Sequence, residues 1–254
     1  MNSQSRHPRP RQGVTASGEQ PTPVTPAALS TRQLMKDYGD GPVLHPLSLS
    51  VDAANKVALI GHNGSGKTTL LRIAAGLLDA TSGSVSIHGH APGSLEARRR
   101  ISYLADTPVF YDDLSVWEHL EYVARMHGVD DWHGRGTDLL LRLGIHDRAD
   151  DLPSRFSRGL KQKAGIAIAF VRPFDVLLVD EPFVGLDASG KEALLALLDD
   201  IGSATAIVAT HELGFVERVD RLIALRDGRL IFDGLPTDAT ARDLVATEGT
   251  APDA

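Results

Sequence analysis

Cysteine is absent from this sequence of 254 residues, and long apolar runs are absent as well. Without cysteine the chain has neither a disulfide framework nor a thiolate metal site. Apolar runs such as Gly165–Val171 and Ala193–Leu198 fall far below the roughly 20 residues that a helix needs to cross a bilayer. We therefore expect that, if the protein acts at a membrane, a partner supplies the membrane-spanning part.

The chain also lacks an excess of positive charge. Lysine and arginine number 26 against 33 aspartates and glutamates, which gives a net charge of −7. A nucleic-acid binder that relies on bulk positive charge shows the opposite balance, so no nucleic-acid partner is predicted. The remaining composition, with 42% hydrophobic and 23% charged residues, is typical of a globular protein with a sizeable core.

Residues 1–27 differ in composition from the rest of the chain. They contain five prolines and three arginines, and no apolar segment follows the arginines as it would in a secretory signal. This composition predicts a disordered tail over residues 1–27. We expect the folded domain over residues 28–246 and a flexible C-terminus over residues 247–254.

A glycine-rich segment, Gly61–Thr68, lies between a short apolar run and a helix-like run. Glycines let the backbone curl so that successive N–H groups point at one anion, and the start of the next helix adds further donors. The spacing G-x-x-x-x-G-K-T predicts a triphosphate cradle in which Lys67 reaches the β- and γ-phosphates and Thr68 holds Mg²⁺. The alternative, a chance glycine turn, is disfavoured by the strand–turn–helix context. The predicted nucleotide-binding residues here are Gly61, His62, Asn63, Gly64, Ser65, Gly66, Lys67, Thr68 and Thr69.

Two carboxylates, Asp180 and Glu181, follow the continuous apolar run Val176–Val179. Such a run predicts a buried parallel strand, and open α/β sheets bind ligands at the carboxyl ends of their strands. Asp180 is predicted to hold Mg²⁺, and Glu181 to act as general base toward a water near the γ-phosphate, an effect worth about 10²–10⁴-fold. The alternative, a solvated strand end, is disfavoured because Pro182 ends the strand at once.

The rest of the pattern predicts an α/β chain with a helical insertion at about residues 94–171. Capping boxes that open helices are predicted at Ser115 with Glu118 and at Ser189 with Glu192, and a two-strand hairpin around Asp227-Gly228. Further strands are predicted at Leu34–Tyr38, Val43–Val51, Ser84–Gly89 and Ala204–Thr210, and further helices at Thr137–Leu143, Asp147–Leu152, Gly159–Val171 and Thr237–Val245.

Taken in order, these motifs resemble the ATP-binding subunit of an ABC transporter from about Ala28 to Ala246. Gly61–Thr68 resembles the Walker A motif, and Leu177–Asp180 resembles the Walker B motif. Tyr38 resembles the aromatic residue that stacks on the nucleobase; the alternative is a strand aromatic in the core. The resemblance implies a P-loop NTPase with a RecA-like core, an antiparallel β subdomain and an inserted α-helical subdomain.

Two further motifs of the family follow the catalytic acid. Gly185-Leu186-Asp187 resembles the D-loop, so Asp187 is included among the nucleotide-site residues. His211 resembles the switch histidine, which in the family contacts the γ-phosphate and links it to the catalytic glutamate. By itself a histidine at a strand end would be a polar cap, and its order and spacing favour the switch. The resemblance therefore implies Glu181 and His211 as catalytic residues.

Two motifs depart from the family pattern. The signature, usually Leu-Ser-Gly-Gly-Gln, is Phe156-Ser157-Arg158-Gly159-Leu160 here, a form that resembles ABC-2-type exporter ATPases. Ser157 and Gly159 remain, and in the family this helix start binds the γ-phosphate of ATP held by a second subunit in a head-to-tail dimer. At the Q-loop, Asp106 takes the place of glutamine, and it is predicted to line the metal side of the site.

The resemblance implies an ATPase that uses ATP and Mg²⁺, is paired with a second ATPase subunit and drives the transmembrane permease subunits of an exporter. A homodimer is workable because the motif set is complete, and the implied location is cytoplasmic, on the inner face of the cell membrane through the permease. A soluble ABC ATPase with no role in transport is the alternative. The paired carboxylates, together with the signature and His211, argue against a third class of protein, a P-loop kinase or GTPase. The other histidines show no metal-ligand spacing and are expected at the surface or in packing.

Overall fold

The computed structural model of the protein describes residues 26–238 and 243–244. The predicted tail therefore lies outside the described residues up to position 25, and so does the predicted flexible C-terminus. Most of the helix predicted at Thr237–Val245 also lies outside them. Among the described residues, no helix combines the length and the apolar character needed to span a membrane.

The strands form a small antiparallel sheet and a larger, mostly parallel one. The smaller sheet has the order β2-β1-β4, and the larger has the order β5-β6-β7-β3-β8-β9, in which only the β8–β9 pair is antiparallel. In the described part of the chain the strands are β1 (Leu29–Asp37), β2 (Pro42–Val51), β3 (Lys56–Ile60), β4 (Ser82–Ile87), β5 (Ile101–Leu104), β6 (Val176–Asp180), β7 (Thr205–Ala209), β8 (Arg221–Arg226) and β9 (Arg229–Gly234).

The helices surround the larger sheet or form the inserted subdomain. Helix α5 packs against α3, α4 and strand β5, which joins the insertion to the sheet. The described helices are α1 (Lys67–Ala74), α2 (Leu95–Arg100), α3 (Val116–Met126), α4 (His133–Arg142), α5 (Arg158–Phe170), α6 (Ala188–Asp199) and α7 (Leu213–Val216). The α/β fold class with its antiparallel sheet and helical insertion is therefore confirmed.

The central strand β6 is buried along its whole length, as its apolar run predicts. Because side chains alternate across a strand, Leu177 and Val179 join the core beneath the helical subdomain, whereas Val176 and Leu178 join the core beneath the small sheet. The larger sheet thus has an apolar core on each face, and its carboxyl edge is left to carry polar groups.

Two of the predicted local signals are confirmed. The Ser115 hydroxyl accepts a hydrogen bond from the Glu118 amide at 3.2 Å, and the Glu118 carboxylate accepts one from the Ser115 amide at 2.7 Å, so the capping box opens α3. Asp227 and Gly228 form the turn of the β8–β9 hairpin with φ of 48° and 70°. Positive φ at both turn residues is the conformation that a two-residue hairpin requires.

Several predicted boundaries are wrong, including the starts of β1, at Leu29 rather than Leu34, and of α4, at His133 rather than Thr137. Helix α6 begins at Ala188, two residues before the start that a cap at Ser189 predicts, because the extended Asp187 caps it and accepts a hydrogen bond from Gly190 N at 2.9 Å. Residues 147–152 form no α-helix: Pro153 follows, which holds Leu152 extended, and short 3₁₀ turns stand at His146–Arg148 and Pro153–Arg155. Strand β4 ends at Ile87 rather than at Gly89, since His88 and Gly89 turn the chain with positive φ.

Candidate nucleotide and catalytic site

The candidate site lies at the carboxyl edge of three neighbouring strands. The phosphate loop Gly61–Thr68 follows β3, Glu181 follows β6 and His211 comes shortly after β7. These strands are adjacent in the order β6-β7-β3, and parallel strands present their carboxyl ends at one edge. The topology therefore brings together groups that lie far apart in the sequence.

Close packing explains why the phosphate loop needs glycine at its ends. Gly61 has φ of 148°, and a Cβ there would lie 2.2 Å from the carbonyl oxygen of Leu225. Gly66 has φ of 99° and precedes α1 without any side-chain cap, while a Cβ there would lie 2.5 Å from Leu44. The uncapped start of α1 leaves backbone donors and the positive end of the helix dipole for an anion. The loop thus has the geometry of a phosphate cradle, with Asn63 and Gly64 exposed at its tip.

Lys67 is buried at the base of this loop, with 6% of its surface exposed. Its ammonium donates to the carbonyls of Gly61 and His62 and lies 3.7 Å from Oε1 of Glu181. A buried ammonium requires such partners. It also stands where it can transfer its hydrogen bonds to phosphate oxygens that enter the loop.

Glu181 is held in a left-handed backbone conformation with φ of 44°, and its amide donates to the Ala209 carbonyl at 2.9 Å. Such strain is found where the surrounding structure over-determines a functional residue. Burial raises the pKa of Glu181 to about 7, and the nearby Lys67 ammonium offsets this only in part. His211 Nε2 lies 3.4 Å from Glu181 Oε1. A carboxyl with a pKa near neutrality is suited to accept a proton.

Asp180 is 1% exposed, and neither of its carboxylate oxygens has a hydrogen-bond partner within the described part of the chain. Burial raises the pKa of Asp180, and the Thr68 hydroxyl partly opposes that shift. Burial is the main cause of the raised pKa of both Asp180 and Glu181, and the negative charge of the exposed Asp106 adds to each shift. Buried anionic oxygens beside a hydroxyl fit a hard divalent cation such as Mg²⁺.

Tyr38 follows β1 and is 57% exposed, so the alternative of a core aromatic is wrong. The Lys36 ammonium lies 5.0 Å from the centre of its ring and also donates to the Asp79 carbonyl at 2.9 Å. A cation over an aromatic ring holds the ring in place. The structure thus presents an exposed, positioned aromatic ring, and its stacking on a nucleobase stays a prediction.

The signature residues stand at the start of α5. Ser157 caps this helix, and its hydroxyl accepts a hydrogen bond from Leu160 N at 3.4 Å. A Cβ on Gly159 would lie 2.6 Å from the carbonyl oxygen of Gly185, so the signature packs directly on the D-loop. Lys163 Nζ lies 3.0 Å from Asp187 Oδ1 and fastens the same two motifs together.

Sequence reasoning missed several residues that shape the site. Lys163, in the second turn of α5, was assigned no role in the sequence analysis. Lys191, on α6, forms an ion pair of 2.5 Å with Glu212, directly after His211. His62 Nε2 lies 3.2 Å from Asp227 Oδ1, which connects the phosphate loop to the β8–β9 hairpin. These contacts are long-range, so sequence spacing does not disclose them.

Comparison with known proteins identifies the family. The model of the family described as ABC transporter matches residues 44–184. The SkfA peptide export ATP-binding protein SkfE of Bacillus subtilis (strain 168) is 36% identical over 211 residues, which cover 81% of this chain and 88% of that protein. The aliphatic sulfonates import ATP-binding protein SsuB of Cupriavidus necator is 32% identical and covers 88% of this chain and 74% of that protein.

A solved structure gives the same result. The structure described as the ATP binding subunit of an ABC transporter superposes with a TM-score of 0.80 at 32% sequence identity. The match covers 88% of this chain and 100% of that one. Together with the phosphate loop and the two carboxylates at the sheet edge, these matches show that the chain belongs to the ABC transporter family, as an ATP-binding domain of the ABC ATPase type.

Proposed function

We propose that this chain is the ATP-hydrolysing subunit of an ABC exporter, and that two copies close on two ATP molecules to drive membrane-spanning partners. The observation that carries the proposal is the placement of Glu181. Its carboxylate lies 3.7 Å from the Lys67 ammonium and 3.4 Å from His211, and burial raises its pKa to about 7. A carboxylate with this pKa, next to a lysine that binds phosphate, can accept the proton of a water molecule that attacks the γ-phosphate.

Different residues of the chain have different roles in hydrolysis. The glycine loop and Lys67 hold the phosphates, Glu181 accepts a proton from the attacking water, and His211 orients Glu181 toward it. Mg²⁺, held by Asp180 and Thr68 with Asp106 on the same side, would neutralise charge on the phosphate oxygens. Tyr38 stacks on the adenine.

The signature supports a shared site. The start of α5 carries no acidic residue in its first turn, and it presents the Ser157 hydroxyl at an exposed surface. Exposed helix starts without acidic residues favour anions. We therefore assign Ser157 and Gly159, with Asp187 beside them, to the ATP held by the second copy.

A groove beside the helical subdomain supports a membrane partner. It encloses about 510 Å³ and is lined by the loop around Pro108 and by residues of α3 and α5. Val109, which lines it, is 92% exposed, and Tyr111 in the same loop is 54% exposed, so the loop presents apolar surface to solvent beside the groove. We propose that a permease segment occupies this groove and holds the subunit on the inner face of the membrane. Export rests on the signature variant and on the likeness to the peptide-export protein SkfE, whereas SsuB is named for import.

A paired substitution tests the shared site. Lys67→Ala removes the charge that binds the phosphates, so ATP binding and hydrolysis should both be lost. Ser157→Ala removes a group that acts on the second copy's ATP, so hydrolysis should fall at least tenfold while ATP binding stays near that of the wild type. Equilibrium binding of a fluorescent ATP analogue and steady-state phosphate release measure the two quantities.

Ser154→Ala is the matched control, because Ser154 is an exposed serine of the same segment that precedes the signature. It should leave both quantities unchanged. A Ser157→Ala variant that hydrolyses ATP at the wild-type rate would show that the signature takes no part in the reaction.

A further inference from the structure

The loop Asp106–Leu114 borders the groove and is fastened at two points. The first is Pro108, which packs on Gly165 of α5. A Cβ at Gly165 would lie 2.6 Å from Cγ of Pro108 and 3.1 Å from Cδ1 of Leu104, so only glycine allows the loop to approach this closely. The helix and the loop are therefore in direct contact at this point.

The second point is His119 on α3, which is only 4% exposed. The Tyr111 backbone N–H donates to its Nε2 at 2.9 Å, and its Nδ1 lies 2.7 Å from the Ser115 carbonyl oxygen. A carbonyl oxygen only accepts, so Nδ1 must carry the proton. An amide N–H only donates, so Nε2 must present a lone pair. Only the neutral ring with the proton on Nδ1 satisfies both contacts.

Aromatic contacts hold the same ring in place. Phe110 meets it edge-on at 5.5 Å and 87°, and Tyr111 stacks on it at 5.9 Å and 27°. Val109 stands between the two fastening points and is the most exposed of the large apolar side chains in this loop. A loop fixed on both sides of an exposed valine presents that valine in a defined position.

We infer that His119, as the neutral Nδ1–H tautomer, is a positioning residue that fixes the loop Asp106–Leu114 through the Tyr111 amide and so presents Val109 to a partner. Order of this kind in the free protein reduces the entropy lost on association. The use of the loop by a membrane partner rests on the proposed function. The anchoring by His119 does not, since it depends only on contacts within the chain.

The tautomer can be measured in the wild-type protein without any substitution. Nitrogen-15 NMR of labelled histidine distinguishes a protonated from an unprotonated ring nitrogen, and we expect His119 to carry its proton on Nδ1 at neutral pH. A His119 ring protonated on Nε2 would overturn the inference. This result is independent of whether the subunit dimerises on ATP.

Two variants test the anchor itself by amide hydrogen exchange. In His119→Gln the side-chain oxygen takes the place of Nε2 and can still accept from Tyr111 N–H, whereas in His119→Asn the amide reaches only the place of Nδ1. The Tyr111 amide should exchange about tenfold faster in His119→Asn and near the wild-type rate in His119→Gln, because one hydrogen bond is lost only in the former.

The Leu143 amide, which bonds to the Leu139 carbonyl at 3.0 Å at the end of α4, is the internal reference and should exchange equally in all proteins. Basal ATP hydrolysis by the isolated subunit should also be equal, because the contact of Pro108 with Gly165 holds the Asp106 end of the loop without His119. Equal Tyr111 exchange in the Asn variant and the wild type would contradict the anchor.

Discussion

The phosphate cradle and the signature surface of the same chain are built in opposite ways. In the cradle Lys67 and Asp180 are buried, Glu181 is 21% exposed and lies 3.7 Å from the Lys67 ammonium, and the backbone of Glu181 is strained. On the signature surface Ser157 is exposed, and the Asp187 side chain is 64% exposed while its carboxylate bonds to Gly190 of its own helix and to Lys163. The phosphate cradle is thus enclosed by its own chain, whereas the signature surface is open to solvent.

The difference indicates where each region finds its ligand. Burying carboxylate oxygens that lack hydrogen-bond partners is unfavourable, and such groups are concentrated at functional sites. Their presence in the cradle therefore indicates a function that requires the exclusion of water. An exposed helix start with basic residues and no acid in its first turn is unfavourable in isolation as well, because the dipole repels the cations. An anion that arrives from outside relieves this repulsion. The comparison thus favours ATP held by the cradle of one copy and covered by the signature of another.

The largest expected effect falls on the cradle. Glu181→Gln keeps the shape of the side chain but removes the proton acceptor, so ATP hydrolysis should fall by about 10²–10⁴-fold while ATP binding persists. Single-turnover phosphate release measures the loss. Asp233→Asn, which changes an exposed carboxylate paired with Arg221 at the end of the β8–β9 hairpin remote from its turn, is the control and should hydrolyse ATP normally. A Gln variant as active as the wild type would remove Glu181 from the chemistry.

A pair of glycine substitutions separates the two regions. Gly61→Ala places a Cβ 2.2 Å from a backbone carbonyl at a positive φ, which costs roughly 1–3 kcal/mol in strain alone, and it should abolish ATP binding. Gly159→Ala pushes the signature from Gly185 and should lower hydrolysis while ATP binding stays intact. Gly134→Ala in α4, where a Cβ meets nothing within 4 Å, is the neutral control. Loss of ATP binding in Gly159→Ala would contradict the assignment of ATP binding to the cradle and of a role in hydrolysis alone to the signature.

The stability of the cradle should depend on pH through Glu181. Burial raises its pKa from 4.5 to about 7, so the native state binds this proton more tightly than the unfolded state does. Wild-type stability therefore falls as pH rises from about 4.5 to about 7, and Glu181→Gln escapes the loss. Denaturant unfolding should show equal stabilities at pH 4.5 and a Gln variant more stable by roughly 3 kcal/mol at pH 8. A constant difference across this range would contradict the burial of the charge.

The smallest effect is expected at the joint between the helical subdomain and the core. Arg142 of α4 pairs with Asp200 at the end of α6 at 2.8 Å, and Asp200 is 64% exposed. Exposed pairs contribute about 0–1 kcal/mol, so Arg142→Ala should change the unfolding free energy by no more than that. Arg125→Ala, which breaks the exposed pair with Glu121 at 2.6 Å, is the matched control. A tenfold change in the rate of ATP hydrolysis in Arg142→Ala, but not in the control, would show that this contact couples movement of the helical subdomain to the catalytic site in the core.

The sequence was most informative where function depends on a short continuous segment. The phosphate loop and the β6 run followed by Asp180 and Glu181 are local patterns, and the structure places them together because parallel strands share an edge. The capping box at Ser115 was equally local. The cap of α6 was assigned to Ser189 rather than Asp187 because both match the pattern and only the backbone conformation decides between them.

Other features could not be predicted because they depend on long-range contacts. His119 was expected to be a surface or packing residue, and its two hydrogen bonds appear only once the loop at Tyr111 folds back on α3. The same holds for Gly165, whose need to be glycine comes from Pro108 across the groove. The raised pKa of Glu181 requires knowledge of burial, which a sequence motif does not supply.

The most direct test of the account is the mass of Glu181→Gln in solution with and without ATP and Mg²⁺. Because the variant holds ATP without hydrolysing it, two copies should stay closed on two nucleotides. Light scattering should then give about twice the chain mass of 27.2 kDa with ATP, and one chain mass without it. Addition of Ser157→Ala to this variant should return it to the monomer. An ATP-loaded Glu181→Gln protein that stays monomeric at all concentrations would contradict the shared site.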